Sequence, residues 1–353
     1  MRLYVWVLED SNHLGYFEVI SHVKERTGMS NKALRTILCL ISFLSMGCYS
    51  RSHPLVSAVT YDFSGGRLGD CLLSYAHAKW IAYSYDMPLL YKAFPYSDQL
   101  LMHEREIHYS DELAAHFSKV VTITPDTMHT INPESGFLYI IPFFPESIFN
   151  RNDAIFPYLF SVDWHNKEFK SELQRMIAPL RPLREIAMPR DMLTVALHVR
   201  KGTGWDIPNY RITPEALTAS HPLRFAPDSF YIKQLQRIAA LYPDKNIYVY
   251  LFTDHNDPGA LAQQYEQAVG CDRMRIEYRT DENNEFINVL DDFFALTHFD
   301  CLIRADSNFS LMASKIAEFK IVIAPWHGVV DNMVTTIDEV AIEMNETILV
   351  VKD

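Results

Sequence analysis

Arg200 and Lys201 stand side by side in His198-Val199-Arg200-Lys201-Gly202-Thr203-Gly204, and a hydroxyl-rich stretch, Ala305-Asp306-Ser307-Asn308-Phe309-Ser310, comes later in the chain. A guanidinium offers forked donors suited to phosphate oxygens, and the neighbouring ammonium adds a second positive charge. The small residues beside them let backbone amides approach an anion closely. Ser307 and Ser310 can donate from the start of a helix, where the macrodipole also favours negative charge. Together these groups predict a diphosphate site. Each group alone has a plainer reading, with Arg200 in a structural ion pair and the serines capping a helix. Their coincidence at strand ends favours a site.

Those groups must be carried by strands, because open parallel sheets bind ligands beyond the carboxyl ends of their strands. Leu193 to Val199 is a compact apolar strand that runs into Arg200. Ile247 to Phe252 is rich in β-formers, as a strand buried on both faces is, and ends in Thr253-Asp254-His255. Cys301 to Ala305 leads to Ser307 and a helix through Phe319, with further short strands at Ile321 to Ala324 and Ile348 to Val351. Asp228 is placed to cap a helix carrying Tyr231, Leu235, Ile238 and Tyr242. In the first half, Val56 to Tyr61 reads as a strand and Ser64-Gly65-Gly66-Arg67-Leu68-Gly69-Asp70 as a tight loop. A helix follows, with Leu72, Ala76, Trp80 and Tyr83 at helical spacing. Periodicity is weaker from Tyr91 to Phe160, and Leu173 to Leu183 looks helical. Alternating strands and helices predict a parallel sheet covered on both sides and, in outline, two α/β domains meeting at a cleft. The expected division is 1–52 as an N-terminal segment, 53–190 as the first α/β domain and 191–353 as the second.

The glycine loop of the first half is neither a Walker A loop, since no Gly-Lys-Ser/Thr follows, nor a Gly-x-Gly-x-x-Gly fingerprint. By itself it reads as a β-to-α turn whose glycines permit unusual dihedrals. Composition narrows the classes further. The chain has 353 residues, 48% of them hydrophobic, and a formal net charge of −12. That suits a globular protein with ample core and excludes a disordered or polytopic membrane chain. The acidic balance argues against nucleic acid as the main partner. Five scattered cysteines show neither metal-ligand spacing nor a disulfide framework. No Gly-x-Ser-x-Gly elbow marks a serine hydrolase.

Several motifs in order resemble the fucosyltransferases of the GT-B superfamily, nearest the alpha-1,2-fucosyltransferase type. Gly65-Gly66-Arg67-Leu68-Gly69-Asp70 with Tyr75-Ala76 is similar to that family's Gly-Gly-Leu-Gly-Asn-Gln loop and Tyr-Ala helix. His198-Val199-Arg200-Lys201-Gly202 resembles His-x-Arg-Arg-Gly, and Phe252-Thr253-Asp254 resembles Phe-Ser-Asp. Asp292-Phe293-Phe294-Ala295-Leu296 through Ile303, then Ser307-Asn308-Phe309-Ser310, resembles an acidic-hydrophobic helix leading to Asn-Ser-Ser-Phe-Ser. The resemblance covers about Val56 to Pro325.

This resemblance implies two Rossmann-like domains facing a cleft, with the donor nucleotide held mainly by the C-terminal one. It also implies inverting transfer of fucose from GDP-fucose to a glycan hydroxyl, with no obligatory metal and no cofactor beyond the donor substrate. It implies that Arg200 holds the donor diphosphate and helps the leaving group depart, with His198 shaping the loop. Lys201 adds charge there and Asp254 lies near the nucleotide. Ser307, Asn308 and Ser310 face the phosphates, while Gly66, Arg67 and Gly69 line the cleft from the first domain. An acceptor proton must also leave, so a carboxylate is expected as base, Asp70 first and Asp206 second, although a cap or a solvated side chain is the plainer reading of either. The departures are Asp70 for the family's asparagine, Lys201 for its second arginine, Thr203 for an acidic residue and Asn308 for a serine. They make the fold and nucleotide class better supported than the sugar. The alternatives are a transferase using another nucleotide sugar, a hydrolase of the same donor, and a non-catalytic glycan- or nucleotide-binding module.

Ile37 to Cys48 forms a mostly apolar run preceded by Lys32 and Arg35, with Met29 as an alternative start. It is too short for an ordinary transmembrane helix, which needs about twenty residues, but fits a signal-peptide core. A signal, a short anchor, a lipoprotein site at Cys48 and a buried helix all stay open, as does membrane association through this segment. Asn345-Glu346-Thr347 matches a glycosylation acceptor.

Overall fold

Residues 56–63, 66–123, 130–142, 162–201, 218–281 and 288–353 are described in a computed structural model of the chain. The apolar run at 29–48, the loop glycine Gly65 and the segment holding Gly202, Thr203 and Asp206 lie outside the described residues.

The first sheet opens with β1 (Ala58–Tyr61), which leads into α1 (Leu68–Ser84). Short elements follow: β2 (Leu90–Tyr91), α2 (Leu101–Arg105), β3 (Ile107–His108) and α3 (Asp111–Ala114). Then come β4 (Lys119–Thr122) and β5 (Phe137–Ile141), with β1, β5 and β4 side by side and parallel. α1 is buried on nearly every side, from Leu68 and Cys71 through Tyr75 and Ala76 to Ile81 and Ala82. Such all-round burial belongs to a helix enclosed by structure on both sides. α4 (Lys167–Met176) starts where Asn166 accepts a hydrogen bond from the Phe169 amide. It therefore begins and ends earlier than the expected Leu173 to Leu183, because Asn166 is a good cap and Pro179 pairs with Leu100 instead of continuing the helix.

The second sheet holds the site. Its elements are β6 (Leu193–Val199), α5 (Asp228–Leu241), β7 (Ile247–Thr253), α6 (Pro258–Val269), β8 (Met274–Tyr278), α7 (Val289–Leu296) and β9 (Cys301–Arg304). α8 (Asn308–Ile316), β10 (Ile321–Asp331), β11 (Val334–Met344) and β12 (Thr347–Lys352) complete it. The strand order is β12-β11-β10-β9-β6-β7-β8. β8, β7, β6, β9 and β10 are parallel, while β11 and β12 run antiparallel. The parallel part has the order of a doubly wound fold, in which the chain builds outward from β6 on one side and then reverses to the other. The reversal lies between β6 and β9. β6 is buried at every position, as a central strand covered by helices on both faces must be.

The fold is thus mixed α/β with parallel sheets, extended by an antiparallel meander of which the sequence predicts the start of β10 and most of β12. β10 runs on to Asp331 instead of stopping at Ala324, and β11 and β8 were not anticipated. Tight two-residue turns join the meander, with Asn332 and Met333, then Asn345 and Glu346, all at positive φ. The Asn345 acceptor motif sits in the second of these turns. α8 ends at Ile316 and not at Phe319, because Ala317 is extended. Asp228 is the first helical residue of α5, not its cap; Pro227 precedes it as the N-cap. α6 follows the expected chemistry of helix ends: Asp257 accepts from the Ala260 amide at 2.9 Å, Pro258 fills the first turn and Gly270 closes at φ +62°.

Two apolar clusters flank the second sheet. One face carries Val195, Leu197 and Ile303 against Tyr231, Leu235, Leu261 and Tyr265 of α5 and α6. The other carries Ala196, Leu302 and Val322, and is covered by Phe293 and Leu296 of α7 and Leu311, Met312 and Ile316 of α8. This second cluster continues without a break into Tyr61, Leu72, Tyr75 and Phe169 of the first half. Among the described residues, no helix is long and apolar enough to cross a membrane.

Candidate functional site

β6 delivers His198 and then Arg200 to the carboxyl end of the sheet, and β9 delivers Ser307 and α8 beside them. Their adjacency follows from strand register, since His198 pairs with Arg304. Arg200 Nη1 lies 3.4 Å from Ser307 Oγ. His198 Nδ1 is 2.9 Å from Ser310 Oγ, and the His198 ring lies 5.8 Å from that of Phe309. The cationic turn and the tip of α8 therefore converge on one point at the sheet's reversal, the crevice where open α/β sheets bind ligands. Ser307 is the N-cap of α8 but its hydroxyl makes no cap hydrogen bond. First-turn amides of a helix lack intrahelical acceptors, so this tip is suited to an anion.

Arg200 is buried, with its guanidinium 5.7 Å from the centre of the Phe225 ring. Burial brings its pKa down to about 10; the charges of Arg224 and Arg67 push the same way, and Asp254 and Asp70 oppose them. It stays cationic at any ordinary pH. The Arg224 guanidinium also lies over the Phe225 ring, 5.6 Å from its centre, and belongs to no sequence motif. Arg304, beside His198, belongs to none either.

His198 is fully enclosed. Burial, then the charges of Arg200, Arg304 and Arg67, bring its pKa down from 6.5 to about 3. It is a neutral hydrogen-bonding strut between β6 and α8. A folded-state pKa below the unfolded value gives stability that is complete above pH 6.5 and shrinks as pH falls toward about 3. We therefore expect the stability difference between wild type and His198→Asn to narrow below pH 6.5 by about 1.4 kcal/mol per pH unit, measured by urea unfolding. A difference constant between pH 7 and pH 5 would mean that His198 takes up its proton as easily folded as unfolded.

Lys201 points its charge elsewhere. Its ammonium pairs with Asp228, whose carboxylate also accepts from the Tyr265 hydroxyl, and its amide donates to Asp254 Oδ1 at 2.6 Å. Asp254 thus ties the end of β7 to the turn after β6, next to Arg200.

Asp70 closes the site from the first half. Its Oδ2 accepts from the Arg67 amide at 3.1 Å, a capping arrangement for α1. Its Oδ1 accepts from Asn308 Nδ2 at 2.7 Å. Both carboxylate oxygens are therefore engaged, one by its own helix and one by α8. Gly66 and Gly69 are needed here for space, not for unusual dihedrals, as neither has a positive φ. A Cβ on Gly66 would collide with the Asp70 carboxylate; one on Gly69 would lie 2.5 Å from the carbonyl carbon of Asn308 and 2.6 Å from Phe309 Cα. Arg67, Gly66, Gly69, Asp70, His198, Arg200, Ser307, Asn308 and Ser310 are thereby brought together, with Asp254 behind Arg200. Lys201 is diverted to Asp228. Among the described residues, no group of three or more His, Cys, Asp or Glu side chains is arranged to hold a metal.

No family model matches the chain, and no curated protein matches its sequence. Among solved structures, it is similar to a mutant of Arabidopsis thaliana FUT1 in complex with GDP, at 12% identity and a TM-score of 0.48, covering 88% of this chain and 78% of that one. It is also similar to the fucosyltransferase NodZ from Bradyrhizobium, at 12% identity and a TM-score of 0.46, covering 77% of this chain and 96% of that one.

Proposed function

We infer that the chain is a glycosyltransferase that moves fucose from GDP-fucose to a hydroxyl of a glycan acceptor, with inversion and without a metal or other cofactor. The observation that carries this reading is the meeting of Arg200 with Ser307 at the tip of α8, at the reversal of a doubly wound sheet. The motif resemblance supplies the sugar and the nucleotide. The donor diphosphate would sit against the Arg200 fork and the first-turn amides of α8, with Ser307 and Ser310 as hydroxyl partners. As the acceptor oxygen bonds to the anomeric carbon, the bond from that carbon to the diphosphate breaks and charge gathers on the departing oxygens. A preorganised guanidinium and helix terminus stabilise that charge more than the ground state, which is what accelerates the step.

The acceptor proton needs a base. Asp70 is engaged once on each oxygen, by the Arg67 amide and by Asn308, and each oxygen keeps a further lone pair; in this reading it positions the loop and is the first candidate for the base, with Asp206, outside the described residues, the second. The same engagement of Asp70 favours a second reading, a nucleotide- or glycan-binding module without turnover. A thermal-shift screen of GDP, UDP, CMP and ADP, followed by product analysis with GDP-fucose and a glycan panel, separates the two. GDP alone should raise Tm, and fucosylated product should form. Stabilisation by GDP without product from any nucleotide sugar supports the binding module, and selective stabilisation by another nucleotide refutes the GDP assignment.

A further inference from the structure

Arg304 ends β9 and pairs in register with His198, so the two side chains leave the same face of the sheet. That face is covered by α8, whose first turn holds His198 through Ser310 and Phe309. Arg304 therefore lies beside His198 under the same helix tip. It is 3% exposed. Among the described residues its one hydrogen bond is from Nη1 to the carbonyl of Ala305 at 3.1 Å, and its Nε is buried without an acceptor. Asp306 and Glu343 act on it through space, and neither forms an ion pair with it. Arg279, comparably buried, shows the usual solution: its guanidinium is bonded to Asp292. A buried charge lacking such a partner costs several kcal/mol by comparison with a paired one. Besides His198, its neighbours on that face, Leu302 and Ala196, are apolar, and the carboxylates of Asp306 and Glu343 reach it only through space.

We propose that Arg304 is a further anion-binding residue, a buried cation left without a carboxylate so that a diphosphate arriving at the tip of α8 becomes its counter-charge. The proposal rests on the reading of that tip as a nucleotide-diphosphate site. It names a residue that strand register places there and that no motif contains. The bound anion would then meet the positive end of α8 and the charge of Arg304 together, with Arg200 closing the site from β6. In the free protein the unpaired guanidinium destabilises the fold; in the complex it strengthens binding.

The test compares wild type, Arg304→Met, Arg304→Lys and Arg200→Ala by thermal shift and by titration with GDP and with inorganic pyrophosphate. Methionine keeps much of the volume and removes the charge. Free Arg304→Met should melt no lower than wild type, yet its Kd for both ligands should rise at least about tenfold, the loss of one charge-assisted contact. Arg304→Lys should recover most of that affinity. Two results overturn the proposal: a folded Arg304→Met that binds both ligands as wild type does, or an Arg304→Met that melts well below wild type or fails to fold. The second would make the guanidinium a structural group. Wild type that binds pyrophosphate but no nucleotide refutes the functional reading while leaving Arg304 to be judged on pyrophosphate. Wild type that binds neither refutes both.

Discussion

Arg200→Ala is expected to lower kcat for GDP-fucose by about 10²- to 10³-fold, the usual cost of removing one donor from the point where transition-state charge develops. The loss should fall on kcat more than on KM, because the leaving diphosphate gains charge only as its bond to the sugar breaks. Arg200→Lys restores the charge without the planar fork, so it should recover part of the activity and remain well below wild type. Steady-state kinetics with circular dichroism as a folding control is sufficient. A folded Arg200→Ala with kcat near wild type removes Arg200 from the reaction and, with it, the proposed role of the α8 tip.

Gly69→Ala should be the most disruptive small substitution in the site. Its new methyl group would meet the backbone of Asn308 and Phe309, which cannot swing aside as a side-chain end can. α1 and α8 must then move apart, and the Asp70–Asn308 hydrogen bond is lost with them. The cost is about 1–3 kcal/mol of overpacking or more, together with loss of turnover. Gly270→Ala is the matched control. A methyl there meets nothing within 4 Å, and only the φ of +62° resists it, so about 1 kcal/mol and unchanged activity are expected. Urea unfolding of both variants decides the matter; equal losses in the two would show that the α1–α8 contact yields easily.

The apolar strands β6, β7 and β9 were legible in the sequence because strands buried on both faces are continuous runs of β-formers. The polar residues immediately beyond them could therefore be placed at one end of a sheet. The meander was not legible in the same way. β11 mixes exposed, half-buried and buried positions, with Glu339 and Glu343 among its apolar residues, so neither strict alternation nor a solid run marks it. The diversion of Lys201 was equally hidden, since Asp228 reads as a helix cap until Tyr265 and Lys201 are seen to share its carboxylate. Asp70 reads from the sequence as a base or a cap in a cleft loop; the structure shows the capping bond at its own helix start, while its second partner, Asn308, lies far along the chain and in no local pattern. Arg304 and Arg224 stand in no motif, and only strand register and the Phe225 ring bring them near Arg200.

The unbroken apolar cluster that links α1 and α4 to α7, α8 and the inner face of the second sheet has a thermodynamic consequence. Neither sheet can lose its covering helices without exposing the other's, so the two halves share one enthalpy of melting. A calorimetric scan should give a single endotherm whose van 't Hoff and calorimetric enthalpies agree, and protection of slowly exchanging amides in β1 and β6 should collapse together. Nucleotide binding on the second sheet would then raise the melting temperature of the first as well.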